Sequence, residues 1–126
     1  MRKLKITELN RISVEEFKES DKIPLVIILD NVRSLNNIGS IFRTGDAFLV
    51  KSVYLCGISS TPPNAEIHKT ALGAEYSVDW KYFAETTDAI SSLKQKGYTV
   101  FAIEQVENSI MLPDLKLDRK AKYAVV

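Results

Sequence analysis

Asn36, Asn37 and Arg43 fall within eight residues of one another, two amides and a guanidinium close enough to act together on a bound group. They lie in the stretch LDNVRSLNNIGSIFRTGDAF, residues 29–48, which begins apolar, ends in a helical pattern and has a joint crowded with Asp, Asn, Arg and Ser. A joint so rich in hydrogen-bonding groups suits a ligand site, because ligands of open α/β sheets bind beyond the carboxyl ends of the strands, beside helix N-termini. Structural readings compete with that one. Asn36 or Asn37 could cap the helix, Gly39 could admit a closely packed neighbour, and Asp30 could accept backbone hydrogen bonds in a loop. Arg43 falls away from the stripe of Ile38, Ile41 and Phe42. It either pairs with Asp46 three residues on, as a surface contact worth little, or serves a ligand.

No other constellation competes. His68 is the single histidine and Cys56 the single cysteine, so a metal site of the usual His/Cys kind is not expected. A Ser-His-Asp arrangement would have to use His68 without a nucleophile elbow, and the five glycines form neither a Walker A pattern nor G-x-G-x-x-G. Cys56, inside the apolar run VYLCG, reads as a buried core thiol.

The elements that must position the joint follow from periodicity. Residues 1–24 read as a polar lead-in with one short helix, for which Ser13 and Glu16 have capping-box spacing. LVIILD from Leu25 is a continuous branched run, the pattern of a strand covered on both faces. After the joint, Ile38, Ile41, Phe42, Gly45, Phe48 and Leu49 form a helical stripe. SVYLCG predicts a second strand, NAEIHKTALG a short helix or turn, and EYSVDW a short strand by its period-two alternation. TTDAISSLKQKG predicts a helix with Thr87 or Asp88 at its cap and Gly97 at its stop. YTVFAIE and AKYAVV predict two more strands, separated by a loop containing Pro113. Strands alternating with helices imply an α/β fold, a parallel sheet with helices on both faces.

The 126 residues suit a single core, and 45% hydrophobic with 26% charged residues suits a globular domain rather than a disordered one. A net charge of +1 exerts no global pull on polyanions, so binding to one would need a local patch. No apolar run approaches a membrane span and the N-terminus has no signal-peptide pattern, so the expected location is cytoplasmic, without membrane association.

Set beside TALGAE, the stretch LDNVRSLNNIGSIFRTGDAF resembles the first motif of the SpoU (TrmH-like) family of RNA 2'-O-ribose methyltransferases, in the SPOUT superfamily. That motif is a strand, an Asn-rich turn and a helix with Asn and Arg six residues apart, matched here by Asn37 and Arg43. The order HKTALGAE, extended run, GYTVFAIE also fits, and the resemblance runs from about Leu25 onward, giving a lead-in over 1–24 and a SpoU-type domain over 25–126.

The resemblance implies an α/β-knot fold, S-adenosylmethionine as cofactor, tRNA or rRNA as substrate, no metal, and a homodimer. It makes Arg43 the catalytic residue. A guanidinium stays protonated in proteins, so the expected role is gripping the phosphate beside the target ribose and stabilising developing negative charge, with Asn37 orienting Arg43 or the ribose. Arg33, Asn36, His68 and Lys69 are candidate RNA-backbone contacts, and Ile103, Glu104 and Gln105 a candidate edge of the cofactor pocket. The family's second and third motifs would follow Val126, so the knot portion is expected to be missing from this chain. Two other classes remain: a non-catalytic RNA-binding α/β module, and a nucleotide- or cofactor-binding α/β domain unrelated to RNA.

Overall fold

A computed structural model of the protein describes residues 1–5 and 11–126. Its elements, in chain order, are α1 (Val14–Glu19), β1 (Ile23–Asp30), α2 (Leu35–Ala47), β2 (Val50–Cys56), α3 (Ala65–Ala71), α4 (Ala74–Ser77), β3 (Trp80–Phe83), α5 (Thr86–Gln95), β4 (Tyr98–Phe101) and β5 (Lys122–Val125). The strands form one sheet in the order β3-β2-β1-β5-β4, and every neighbouring pair is parallel.

Alternation along the two central strands builds two cores. Leu29 on β1 and Val53 and Leu55 on β2 face one side, where they pack with Phe17 of α1, Ile38 and Phe42 of α2, Ile67 of α3 and Ala74 of α4. Val26 and Ile28 with Tyr54 and Cys56 face the other side, against Ala89 and Leu93 of α5. That two-sided burial is why LVIILD and VYLC read as unbroken apolar runs. Cys56 is fully buried, as its setting in VYLCG predicts.

Local signals explain most boundaries. Ser13 caps α1, its side chain accepting from the Glu16 N–H. Gly97, at φ 86°, stops the segment after α5 in the left-handed region open to glycine. The β4–β5 pairing runs past the strand ends, where the Ile103 N–H donates to the Val126 carbonyl at 2.7 Å.

Three expectations are corrected. EYSVDW is not a strand from its start: Ala74 to Ser77 are helical and the strand begins at Trp80. Ala74, Ser77 and Val78 are buried there, and spacings of three and four are a helical period. In α5 the N-cap is Glu85, without a side-chain cap bond, and Thr87 and Asp88 lie inside the helix. Finally, α2 ends at Ala47, so Phe48 is exposed and Leu49 turns at φ 55° rather than extending the stripe.

The lead-in does more than precede the sheet. Phe17 is 1% exposed in the main core, and Lys18 donates to Asp79 at 2.5 Å. The helix of residues 1–24 is therefore packed onto the domain.

Candidate active site

The turn between β1 and α2 is fastened to the segment after β2. Asn31 adopts φ 51°, and its Oδ1 accepts the Ile58 N–H at 3.0 Å. A Cβ on Gly57 would stand 2.0 Å from that oxygen, so only glycine permits the approach. The buried Ser59 hydroxyl donates to the Leu29 carbonyl at 3.1 Å and accepts the Val32 N–H at 2.8 Å. Asp30 accepts from the Thr86 hydroxyl at 2.6 Å and from the Asn31 amide at 3.1 Å, so its partners are side chains rather than the loop backbone. The Thr86 hydroxyl, engaged on Asp30, is not a cap for α5.

Ser34 is the N-cap of α2, its Oγ accepting the Asn37 N–H at 3.1 Å. Capping therefore falls to neither Asn36 nor Asn37, whose exposed side chains lie in the first turn of the helix. The serine comes first along the chain in an extended conformation, and the helix starts immediately after it.

With about 3.6 residues per turn, Asn36, Ser40 and Arg43 share one exposed face of α2, and Asn37 lies about a third of a turn from Arg43. Among the described residues, Arg43 makes no hydrogen bond or ion pair, and Asn37 and Arg43 do not bond each other. Of the two readings of Arg43, the pairing with Asp46 is not observed; the Asp46 Oδ2 is held instead by Arg11 at 2.6 Å.

Gly39 brings α3 against this helix. A Cβ there would lie 2.0 Å from Thr70 Oγ1 and 2.3 Å from the Ile67 carbonyl, so the close-packing reading of this glycine is the observed one. Thr70 donates to the Asn36 carbonyl at 2.7 Å, and Ser40 donates to the same oxygen at 3.0 Å. Of the other predicted contact residues, Arg33 is exposed. His68 and Lys69 on α3 are also exposed but already have carboxylate partners: His68 Nδ1 meets Glu75, and Lys69 meets Glu66 at 2.7 Å. Glu75 is buried, and its second oxygen accepts the Gly73 N–H at 3.0 Å.

The chain runs outward from β1 to β2 and β3, then crosses to β4 at the opposite edge and returns as β5 beside β1. The topological switch lies between β1 and β5, where this architecture makes its crevice. A crevice of about 960 Å³ is found there, lined by Asp30, Thr86, Ile90, Ile103, Glu104 and Val126 among others. Two of the three predicted pocket-edge residues, Ile103 and Glu104, are in its wall; Gln105 is not, and its N–H donates to the Glu104 carboxylate at 2.9 Å. Asp30, Asn31 and Thr86 were not singled out together from sequence. An Asp-Asn pair at a strand end is the signal that could have found the first two, since Asn tolerates the left-handed turn. Among the described residues no group of three or more His, Cys, Asp or Glu side chains could hold a metal, and no helix is long and apolar enough to cross a membrane.

Residues 24–126 match the model of the SpoU rRNA Methylase family. The chain belongs to that family. The 23S rRNA (guanosine-2'-O-)-methyltransferase RlmB of Pseudomonas aeruginosa is 28% identical over 103 residues, covering 81% of this chain and 42% of that protein. The tRNA (guanosine(18)-2'-O)-methyltransferase of Thermus thermophilus is 28% identical over 96 residues, covering 76% and 48%. The chain thus spans less than half the length of either relative. In three dimensions it superposes on an rRNA methyltransferase from Sinorhizobium meliloti with a TM-score of 0.73 at 22% identity, covering 86% of this chain and 42% of that one. The A. aeolicus TrmH/SpoU tRNA modifying enzyme gives the same TM-score at 19% identity, with 89% and 55% covered. The sheet and helices are accordingly the part of the SpoU/TrmH methyltransferase fold that this chain spans.

Proposed function

We propose that this chain carries the arginine-bearing part of an S-adenosylmethionine-dependent RNA 2'-O-ribose methyltransferase acting on tRNA or rRNA, as a cytoplasmic homodimer that uses no metal. The observation that carries the reading is Arg43: an exposed guanidinium without a protein partner among the described residues, on the face of α2 that also holds Asn36 and Ser40. In a member of this family, an unpartnered fork on a polar helix face is suited to a phosphodiester. Exposed apolar side chains between β4 and β5, including Ile103, Met111 and Leu112, support burial against further protein, as a dimer requires.

The crevice suits the cofactor. Ile90 and Ile103 offer apolar wall, and Asp30 and Glu104 offer carboxylates for hydroxyl or ammonium groups. S-adenosylmethionine, when bound, supplies a sulfonium methyl, an electrophile with a neutral leaving group. Two residues of this chain then have the remaining work. Arg43 grips the phosphate beside the target ribose by two parallel N–H···O bonds and stabilises negative charge developing on the 2'-oxygen. Asn37, a third of a turn away around the helix, donates to or accepts from the ribose. Neither takes the hydroxyl proton, since a guanidinium is never deprotonated at working pH; the proton passes to phosphate or water. Arg33 and Asn36 extend the phosphate contact, and His68 and Lys69 join it through the ring nitrogen and the ammonium N–H groups that Glu75 and Glu66 leave uncommitted.

The test is transfer of labelled methyl groups from S-adenosylmethionine to tRNA and rRNA transcripts, followed by digestion to nucleosides. Arg43→Lys keeps the charge and loses the fork. Loss of one charge-assisted bond of about 1.5–3 kcal/mol should lower turnover roughly 10- to 100-fold. Full activity in Arg43→Lys would overturn the phosphate-fork role. RNA binding with no methylated nucleoside in the wild-type protein would leave an RNA-binding module instead.

A further inference from the structure

We infer that Arg11 is a positioning residue for Arg43, acting by occupying Asp46. The inference rests on the reading of Arg43 given above. Asp46 stands three residues after Arg43 on α2, a spacing at which Arg and Asp side chains meet on a helix surface. The Asp46 side chain is only 13% exposed, and a carboxylate so far out of water requires a partner. Two guanidinium groups compete for it.

Arg11 holds it, with Nη2 at 2.6 Å from Asp46 Oδ2 and Nη1 donating to the Leu72 carbonyl at 2.7 Å. Leu72 is the left-handed C-cap of α3, so that carbonyl belongs to a helix end whose acceptors need donors. The two bonds bridge the ends of α2 and α3, which is how an arginine 35 positions away prevails over one three positions away. Among the described residues Arg43 then has no carboxylate partner, which suits it to meet a phosphate. Arg11 lies outside the residues that match the family, 24–126, so the lead-in supplies a control on the site that the matched domain does not contain. Without Arg11, the Asp46 carboxylate takes Arg43, drawing its guanidinium around the helix from the Asn36 and Ser40 side and cancelling its charge.

The test is a charge-rescue series in the protein labelled with ¹⁵N-arginine: wild type, Arg11→Gln, Asp46→Asn and the double variant. The first readout, independent of any ligand, is solvent exchange of the Arg43 Nε–H, assigned by its loss in Arg43→Lys. The second is affinity for fluorescently labelled bulk tRNA. Arg11→Gln should slow the exchange and weaken tRNA binding, each by about 1.5- to twofold, the size of a helix-surface ion pair. The double variant should return both to wild type, and Asp46→Asn alone should leave both unchanged. A lost structural bridge also leaves a buried carboxylate unpaired, which the double variant would relieve in tRNA affinity, so the Arg43 exchange is the readout that a merely structural role would not move. Arg11→Met, which keeps most of the aliphatic stem, replaces Arg11→Gln if the latter does not fold. Unaltered Arg43 exchange in the Arg11 variant, or a double variant as impaired as the single, overturns the inference. If exchange behaves as expected while Arg43→Ala binds tRNA as tightly as wild type, the capture by Asp46 is upheld and the phosphate role of Arg43 is what fails.

Discussion

Replacing Gly39 by alanine puts the central helix contact of this protein to a quantitative test. On helix propensity alone, Gly→Ala in a helix interior stabilises by about 1 kcal/mol. At Gly39 the added Cβ would stand 2.0 Å from Thr70 Oγ1, 2.3 Å from the Ile67 carbonyl and 2.9 Å from the Ala71 nitrogen. Rotating the threonine relieves the first clash, but the other two are with the backbone of α3, so α2 and α3 must separate. Overpacking of this kind costs about 1–3 kcal/mol or more. Separation also breaks the Thr70 bond to the Asn36 carbonyl, worth about 1 kcal/mol. Net destabilisation of about 2 kcal/mol is expected, a fall in melting temperature of roughly 5–10 °C for a domain of this size. Urea unfolding followed by circular dichroism, with a thermal melt, measures it. The same displacement carries Asn36, Asn37 and Arg43 with α2, so RNA affinity should fall even at temperatures where Gly39→Ala is fully folded. A variant as stable as wild type or more so would refute the contact argument, since propensity alone would then account for the result. Gly45→Ala is the control: its closest neighbour is a methyl of Val50 at 2.8 Å, a side chain that can give way, so the cost should be smaller.

Two further outcomes follow from the site and the core. Ser34→Ala should cost about 1 kcal/mol in urea unfolding by removing the α2 cap, whereas Asn37→Ala should cost well under half of that, because its side chain caps nothing. Equal costs would return capping to the asparagine. Burial pushes the Cys56 thiol up; the Thr86 hydroxyl opposes this in part, and Asp30 reinforces it. The folded state therefore holds that proton more tightly than the unfolded chain does. Its contribution to stability is complete below the unfolded thiol's pKa and is lost as pH rises through the folded value. Between about pH 8 and 10 wild type should lose stability more steeply than Cys56→Ala, and the native thiol should resist alkylation until the protein unfolds. Tyr98, also raised by burial and by Tyr54, adds a similar loss at higher pH in both proteins.

The parallel α/β class was legible in the chain alone, because strands buried on both faces must be apolar without interruption, and LVIILD and VYLC are. The sequence set the start of α1 at Ser13 and the stop at Gly97, since caps and left-handed turns depend on one or two neighbouring residues. It also located the polar turn after β1 and placed Arg43 off the apolar stripe, for the periodicity of one helix is enough to show that. Tertiary structure decided everything that depends on which remote groups meet. The α2 cap is not among these: Ser34 bonds the N–H three residues on, a local signal overshadowed by the two asparagines that follow it. Burial of Ala74 and Val78 in the core shared with α2 and β2 turned an apparently alternating segment into a helix. His68 was drawn to Glu75, and Asp46 to Arg11 from the lead-in instead of to its neighbour Arg43. A local pattern says which side chains a helix exposes; only the packing of distant segments says which of those are already spoken for.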